Sequence, residues 1–420
     1  MSSLFQIDRA LPTVSARLAA VRWPNSSAGR GTAICMASLL PGLLLSMTTD
    51  SARAEAWKTE IGVGVDTIYD DNPLLLPNDG DSVFGGTISP DIGIKGDFGT
   101  VTLGFDADAT GTQYNGDGNA LTDDKNIKTL GYHLGTSLLF KGRRSQFTAG
   151  IDYRNLSTRE SELEDTGLVV IDSRRQTVSG NAGLKYELSR LDNLSMSVTA
   201  EDGRYDTDLL TGYRSYGANL GYGRELTRTD EIGLTVGLKR IDPDSAVTGV
   251  TDIYRAGLTW AHSQGETLSF NMEVGGSYAK IAGTGGAPDE RERGMYASAK
   301  GLWSITQLDS LSMSYEKSLT ASGLGEVQDR DTARLSYLHG FTRRLSFTLP
   351  ISGIRQDYAT GTTPDERRYF DVAPSLSWNF LPDWSLSGTY RYRWQKFESQ
   401  PDAAVSNAGL LSLAYRTNLF

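Results

Sequence analysis

Three histidines are the only side chains whose ordinary titration falls near neutral pH, so they are where acid–base chemistry would start. His262 stands beside Ser263, His339 ends a strand-like run, and His133 lies in an alternating segment. Hydrolysis at a membrane rim needs a nucleophile, a base and an acid that orients the base. Ser263 and His262 supply two of these and nothing at a helpful spacing supplies the third. His133, His262 and His339 therefore read as isolated polar residues. There is no His-Glu-x-x-His, no glycine-rich phosphate loop that opens a helix and no cysteine cluster. The run 114–125 (Tyr-Asn-Gly-Asp-Gly-Asn-Ala-Leu-Thr-Asp-Asp-Lys) is rich in calcium-type ligands but lacks the spacing and closing Glu of an EF-hand. No catalytic residue, cofactor or metal site is expected.

The charged residues carry more information through their spacing. Asp106 and Asp108, Arg391 and Arg393, and the single Arg255, Glu273, Arg334 and Asp371 all fall on the polar parity of segments whose other parity is apolar. Phe370, Val372, Pro374, Leu376, Trp378 and Phe380 alternate with Tyr369, Asp371, Ala373, Ser375, Ser377 and Asn379. After Leu381-Pro382-Asp383 the pattern resumes with Trp384, Leu386, Gly388, Tyr390, Tyr392 and Trp394. A strand repeats every two residues, so each segment has one face in oil and one in water.

Eight short connections, near 96–100, 141–145, 189–193, 226–230, 263–267, 306–310, 341–344 and 381–383, alternate with nine longer polar ones. The long ones fall near 70–81, 114–126, 159–173, 204–212, 242–250, 281–291, 320–328, 358–366 and 398–405. Seventeen connections join eighteen strands and leave both ends on the short-turn side. That is the layout of an all-β transmembrane antiparallel up-and-down barrel with short periplasmic turns and longer extracellular loops. Composition agrees: 46 glycines and 19 tyrosines suit strands and turns, and mean hydropathy of −0.33 excludes a bundle of membrane helices.

Residues 31–48 form a short apolar stretch followed by Ala52-Arg53-Ala54, a small-x-small cleavage site. Residues 1–54 are therefore expected to be a signal peptide with an extended basic leader, and 55–420 the barrel. Met36 lies inside the apolar stretch, which leaves the true start open, and Cys35, the one cysteine, would be removed. The net charge is −10; without 1–54, 36 cationic residues face 49 acidic ones, or −13. Nucleic acid is excluded as a partner by that balance. The expected partners are the bilayer of a Gram-negative outer membrane and its assembly machinery, with a polysaccharide and a periplasmic export partner as further candidates.

A Lys or Arg facing the bilayer midplane costs roughly 2–4 kcal/mol, so the apolar parity looks outward and the polar parity lines the lumen. The lumen candidates for transport are Asp106, Asp108, Arg255, Glu273, Tyr296, Arg334, Tyr369, Asp371, Arg391, Arg393 and Gln395. Opposite charges there either pair into a solvated wall or set up a transverse field with Arg255, Arg334, Arg391 and Arg393 as its cationic side. Aromatics gather at the ends, with Phe140, Tyr186, Tyr222, Trp260, Trp303 and Trp384 near the short turns and Tyr69, Tyr254, Tyr278 and Trp394 toward the loops. They match two interfacial belts.

The opening run Gly62-Val63-Gly64-Val65-Asp66-Thr67-Ile68-Tyr69-Asp70-Asp71-Asn72-Pro73 resembles the start of outer-membrane barrels of the "beta-barrel porin 2" type, which often have a Tyr-x-Asp-Asn run there. In architecture the chain is similar to eighteen-stranded polysaccharide export channels. The resemblance implies a conduit for a secreted exopolysaccharide. It also implies that a terminal aromatic, here Phe420, is read by the assembly machinery. The residues themselves leave two other functions open: a general or substrate-selective diffusion porin for small polar solutes, and a non-transporting structural or adhesive barrel.

Overall fold

The computed structural model describes residues 57–77, 80, 82–116, 126–165, 173–245, 249–283, 288–321, 327–358 and 366–419. The leader 1–54, the cleavage site at Ala54, most of the run 114–125 and Phe420 lie outside the described residues.

The strands follow one another around the wall in chain order, each antiparallel to the next. The first are β1 (Trp57–Asp70), β2 (Val83–Asp97), β3 (Val101–Gly116), β4 (Asn126–Lys141), β5 (Ser145–Ser157) and β6 (Arg174–Glu187). Then come β7 (Asp192–Tyr205), β8 (Tyr213–Glu225), β9 (Asp230–Pro243), β10 (Thr251–Gln264), β11 (Leu268–Ile281) and β12 (Glu290–Ser304). The last are β13 (Asp309–Ala321), β14 (Val327–Gly340), β15 (Leu345–Tyr358), β16 (Arg367–Val372), β17 (Ser375–Leu381), β18 (Trp384–Phe397) and β19 (Ala404–Asn418). β19 returns to β1, with Glu60 opposite Asn418 and Asp70 opposite Ala408, so the sheet closes.

β16 and β17 are two halves of one position in the ring, since both lie between β15 and β18. The wall is thus an eighteen-position barrel, as the alternation predicts. The alternation predicts one strand from Tyr369 to Phe380; the structure interrupts it at Ala373-Pro374, because proline brings no N–H to the ladder. Single hydrogen bonds carry the chain across the gap, from Ala373 N to Pro350 O (3.1 Å) and from Tyr390 N to Pro374 O (3.1 Å). A bulge follows between Trp378 and Leu381.

The short turns repeat one piece of chemistry. In Ser189-x-x-Asp192, Thr227-x-x-Asp230 and Thr306-x-x-Asp309 the hydroxyl accepts the aspartate's own N–H at 3.0 Å and donates to its carboxylate. Two other turns rely on glycine with positive φ, Gly99 at 79° and Gly265 at 57°.

The exterior is apolar and uncovered. Leu234, Val236, Leu238 and Leu258 are each more than half exposed, a surface that only lipid covers without penalty. Tyr254 and Tyr278 lie tilted against each other at the loop end of this band (6.3 Å between rings), and Trp260 meets Phe270 at its turn end (5.5 Å). The molecule is a membrane-spanning β-barrel. Most of its buried side chains belong to the lumen and lie toward the loop end. There the β12–β13 ladder stops at Ala297–Lys317, while β11–β12 continues to Ile281–Glu290. The upper part of β13 leans over the bore, and Leu319 packs on the inner-wall residues Ile241, Ile253 and Ala279.

Candidate functional site

The site is the narrowed part of the bore, and it begins with a helix inside a long loop. Ser157-Thr158-Arg159-Glu160 is a capping-box pattern, and the Ser157 hydroxyl accepts the Arg159 N–H at 3.2 Å. The helix it starts, α1 (Thr158–Asp165), has acidic residues through its length and one apolar residue, Leu163. Such a helix cannot be held by an apolar stripe alone. Polar clamps hold it. Glu162, 1% exposed, accepts from the Tyr205 hydroxyl (2.8 Å) and from Arg175 Nη1 (3.5 Å). Arg175 also donates to the Tyr213 hydroxyl at 2.8 Å. On its other side α1 meets Arg367, whose Nη2 donates to the Leu163 carbonyl at 2.8 Å.

Arg367 is fully buried on the inner face of β16. Its Nε donates to Gln395 Oε1 (2.9 Å), its Nη1 to Gln356 Oε1 (3.1 Å), and its guanidinium lies 5.0 Å from the Tyr369 ring. Positions 7 and 16 of an eighteen-position ring are diametrically opposed. One turn of α1 therefore joins the β7 wall to the β16 wall and crosses the bore.

A second element comes in from the first loop. The Tyr69-Asp70-Asp71-Asn72 run anchors it. Arg393 Nη2 and the Ser406 hydroxyl both donate to Asp70, the latter at 2.8 Å. Asp71 accepts from Asn407 N (2.7 Å) and Nδ2 (2.9 Å). The Asn72 side chain binds Leu76 N–H and C=O and the Val405 carbonyl. The pinned chain carries Leu75 into the lumen in a left-handed conformation (φ 52°), which costs a bulky residue roughly 1–2 kcal/mol. Burial offsets this: Leu75 joins Leu163, Ile354, Tyr369 and Ala404 in one apolar cluster. Both loop elements thus converge on the β15–β19 wall.

All eleven lumen candidates lie on the inward parity. Those on β16–β18 pack together: Asp371 accepts from the Tyr369 hydroxyl (3.0 Å) and Arg391 Nε (2.6 Å), while Arg393 turns to Asp70 and Gln395 to Arg367. A second group occupies β10–β12. The Tyr296 hydroxyl donates to Glu273 at 2.9 Å, and Arg255 lies 5.3 Å over the Tyr296 ring while donating to Asn219 at 2.6 Å. Tyr296 and Tyr369 are buried, so neither offers an open ring face to the bore. The third group is acidic. His133 bridges Asp106 (3.3 Å), Asp108 (2.9 Å) and Asp152, and Asp152 also holds Arg154 at 2.9 Å. Arg334 is exposed on β14. Charges of opposite sign meet locally in each group. A glycine lies under the long side chains: a Cβ added at Gly135 would meet Asp106, and one added at Gly237 would meet the Asn219 amide oxygen and the Arg255 side chain bonded to it.

Below the constriction the inward side chains Lys185, Asn271, Lys300 and Arg334 are exposed, so the turn-side half of the bore is open to water. The two rim histidines have structural partners. His262 Nδ1 meets Asp230 at 2.9 Å and His339 Nδ1 meets Asp309 at 2.7 Å, each beside an aromatic two residues earlier that donates to the same aspartate. Hydrogen bonds from Thr306, Tyr337 and His339 pull the Asp309 carboxyl down to about 2. Those from Thr227, His262, Thr229 and Trp260 hold Asp230 well below the usual carboxylate range. Ser263 takes no part in either arrangement.

Sequence reasoning missed α1, Arg175 and Arg367. The capping box at Ser157 was a signal for the first, and parity with Tyr369 and Asp371 places Arg367 inward.

No protein-family model matches the chain, so the resemblance to the porin 2 type rests on the opening run alone. No curated protein matches it in sequence. Similar solved structures include Pseudomonas aeruginosa OccK2 (OpdF) in complex with glucuronate, 11% identical, with TM-score 0.44 over 87% of this chain and 99% of that one. Acinetobacter baumannii OccAB2 is 12% identical, TM-score 0.42, over 88% and 100% of the two chains. The outer membrane protein opdK from P. aeruginosa is 12% identical, TM-score 0.43, over 86% and 99%.

Proposed function

We propose that the protein is an outer-membrane channel through which small polar solutes diffuse selectively. The observation that carries this reading is the crossing of the bore by α1, clamped at Glu162 to one wall and at the Leu163 carbonyl to the other. A polysaccharide conduit, the first expectation from sequence, needs an unbroken bore along its length. A channel for small molecules needs a wide aqueous vestibule and a short polar constriction, which is the arrangement of the exposed lower wall and the crossing helix. The charged groups of the constriction, Asp371 with Arg391 and Glu273 with Tyr296 and Arg255, offer donors and acceptors of both signs. No enzymatic step is proposed, and substitution of Ser263 and His262 is expected to leave permeation unchanged.

The test is reconstitution of the purified barrel in planar bilayers and in liposomes. Single-channel conductance is expected, with swelling in monosaccharides and none in long polysaccharides. A sealed barrel would favour a structural or adhesive role, and passage of long polymers would restore the export reading; either result overturns the proposal.

A further inference from the structure

Charge is sorted along the barrel axis. By sequence the nine long loops between strands hold 20 acidic residues against Lys125 and Arg159. The short turns hold six arginines, Arg143, Arg144, Arg190, Arg228, Arg343 and Arg344, against Glu266 and Asp383. None of the six forms an ion pair among the described residues. Arginines elsewhere in the wall mostly do, as Arg154, Arg391, Arg393 and Arg416 illustrate. In a chain of net charge −10, six unpaired arginines at one rim are a directed surface.

Apolar side chains stand beside them. Leu188, Leu191, Leu226, Leu308, Phe341 and Leu381 sit at the turn tips and are about half exposed. The turns are four residues or fewer and continue directly from the aromatic belt: Leu188 is two residues from Tyr186 and Leu381 three from Trp384. A residue spans at most about 3.6 Å, so the tips stay at the bilayer edge. Apart from Glu266 and Asp383 in the turns themselves, carboxylates at the strand ends of this rim point elsewhere. Glu187, Glu225 and Glu231 have the lumen parity, and Asp192, Asp230 and Asp309 are taken up by the turn hydroxyls.

We propose that this rim is a lipid-binding collar that holds anionic phospholipid headgroups of the periplasmic leaflet. Turn-tip Leu and Phe seat in the interface, and the guanidinium forks take the phosphates, which match them in charge and geometry. The opposite rim, with its acidic loops, repels such headgroups, so the collar also fixes which end of the barrel meets them.

Native mass spectrometry of the purified full-length barrel titrated with phosphatidylglycerol or phosphatidylcholine of the same chains tests this. The wild type is expected to retain phosphatidylglycerol preferentially, and the preference to shrink as NaCl is raised. The variant R143Q/R144Q/R190Q/R228Q is expected to lose roughly tenfold or more in phosphatidylglycerol affinity with phosphatidylcholine unaffected. Equal retention of the two lipids by the wild type, a salt-independent preference, or unchanged retention in the variant overturns the collar. So does a variant that keeps the lipid and loses a bound protein, because the rim is then a protein-docking surface. The wild-type measurements need no variant to fold, and neither they nor the variant depends on whether the barrel conducts.

Discussion

Arg367→Met removes the bond that ties α1 to the far wall while keeping most of the side chain's volume. Arg367 is fully buried, and of its four partners named above only the Leu163 carbonyl, at 2.8 Å, belongs to the helix; the two glutamines and the Tyr369 ring hold the guanidinium in place. A hydrogen bond from a charged donor contributes about 1.5–3 kcal/mol net. Its loss shifts the balance between docked and undocked α1 by roughly 10- to 150-fold. The Glu162 clamp and the Leu75–Leu163 contact remain, so the helix is loosened and not expelled. Single-channel recordings are expected to show larger or more frequent conductance steps than the wild type, with the barrel still heat-modifiable on gels. The double variant R367M/L163S is expected to go further in the same direction. If R367M folds and its mean conductance, step frequency and solute cut-off equal those of the wild type, α1 does not set the constriction and the functional reading falls with it.

Other outcomes follow from the wall. Leu258→Arg, on the lipid face between Tyr254 and Trp260, is expected to cost about 2–4 kcal/mol in denaturant unfolding from micelles, whereas Thr259→Arg, one residue on and facing water, stays within about 1 kcal/mol. Gly237→Ala places a methyl against both Arg255 and the Asn219 oxygen that holds it and is expected to tip the arginine into the bore, which lowers conductance; Gly276→Ala, where an added Cβ meets nothing, serves as the control. Asp309 has its carboxyl depressed to about 2 in the folded chain, against an ordinary value near 4. Its contribution to stability is present above pH 4 and is lost as the pH falls toward 2, so Asp309→Asn is expected to flatten the decline in unfolding midpoint across that window.

The number of ring positions and the faces of the strands were legible because lipid on one side and water on the other impose a two-residue period that tertiary contacts do not overwrite. Tyr254, Leu258 and Trp260 against Arg255 and Thr259 carry that pattern without ambiguity. The interruption at Pro374 was visible as a residue, but its effect depends on which neighbour needed the missing N–H, and that is a property of the register. The bore was less legible. Asp70 and Arg393 are 323 positions apart, and nothing local in either segment says they meet. Arg393, read as a field-setting cation, points to Asp70 and Ser406 because the first loop folds over it. The same loop contains the run that prompted the family resemblance, so a short pattern noticed for its likeness holds the constriction in place. α1 was hidden for a different reason: it has almost no apolar periodicity, and its stability comes from Arg175, Tyr205 and Arg367 on distant strands.

The seam between β1 and β19 has a consequence for how the polypeptide comes into being. Eleven residue pairs, from Glu60–Asn418 to Asp70–Ala408, join the first strand made to the last. In a sheet that lacks β19, Trp57–Asp70 has hydrogen-bonding groups with no counterpart on one side, and two raw sheet margins are exposed at once. Closure of the wall therefore waits on β19, and deletion of Ala404–Asn418 is expected to leave no heat-modifiable barrel.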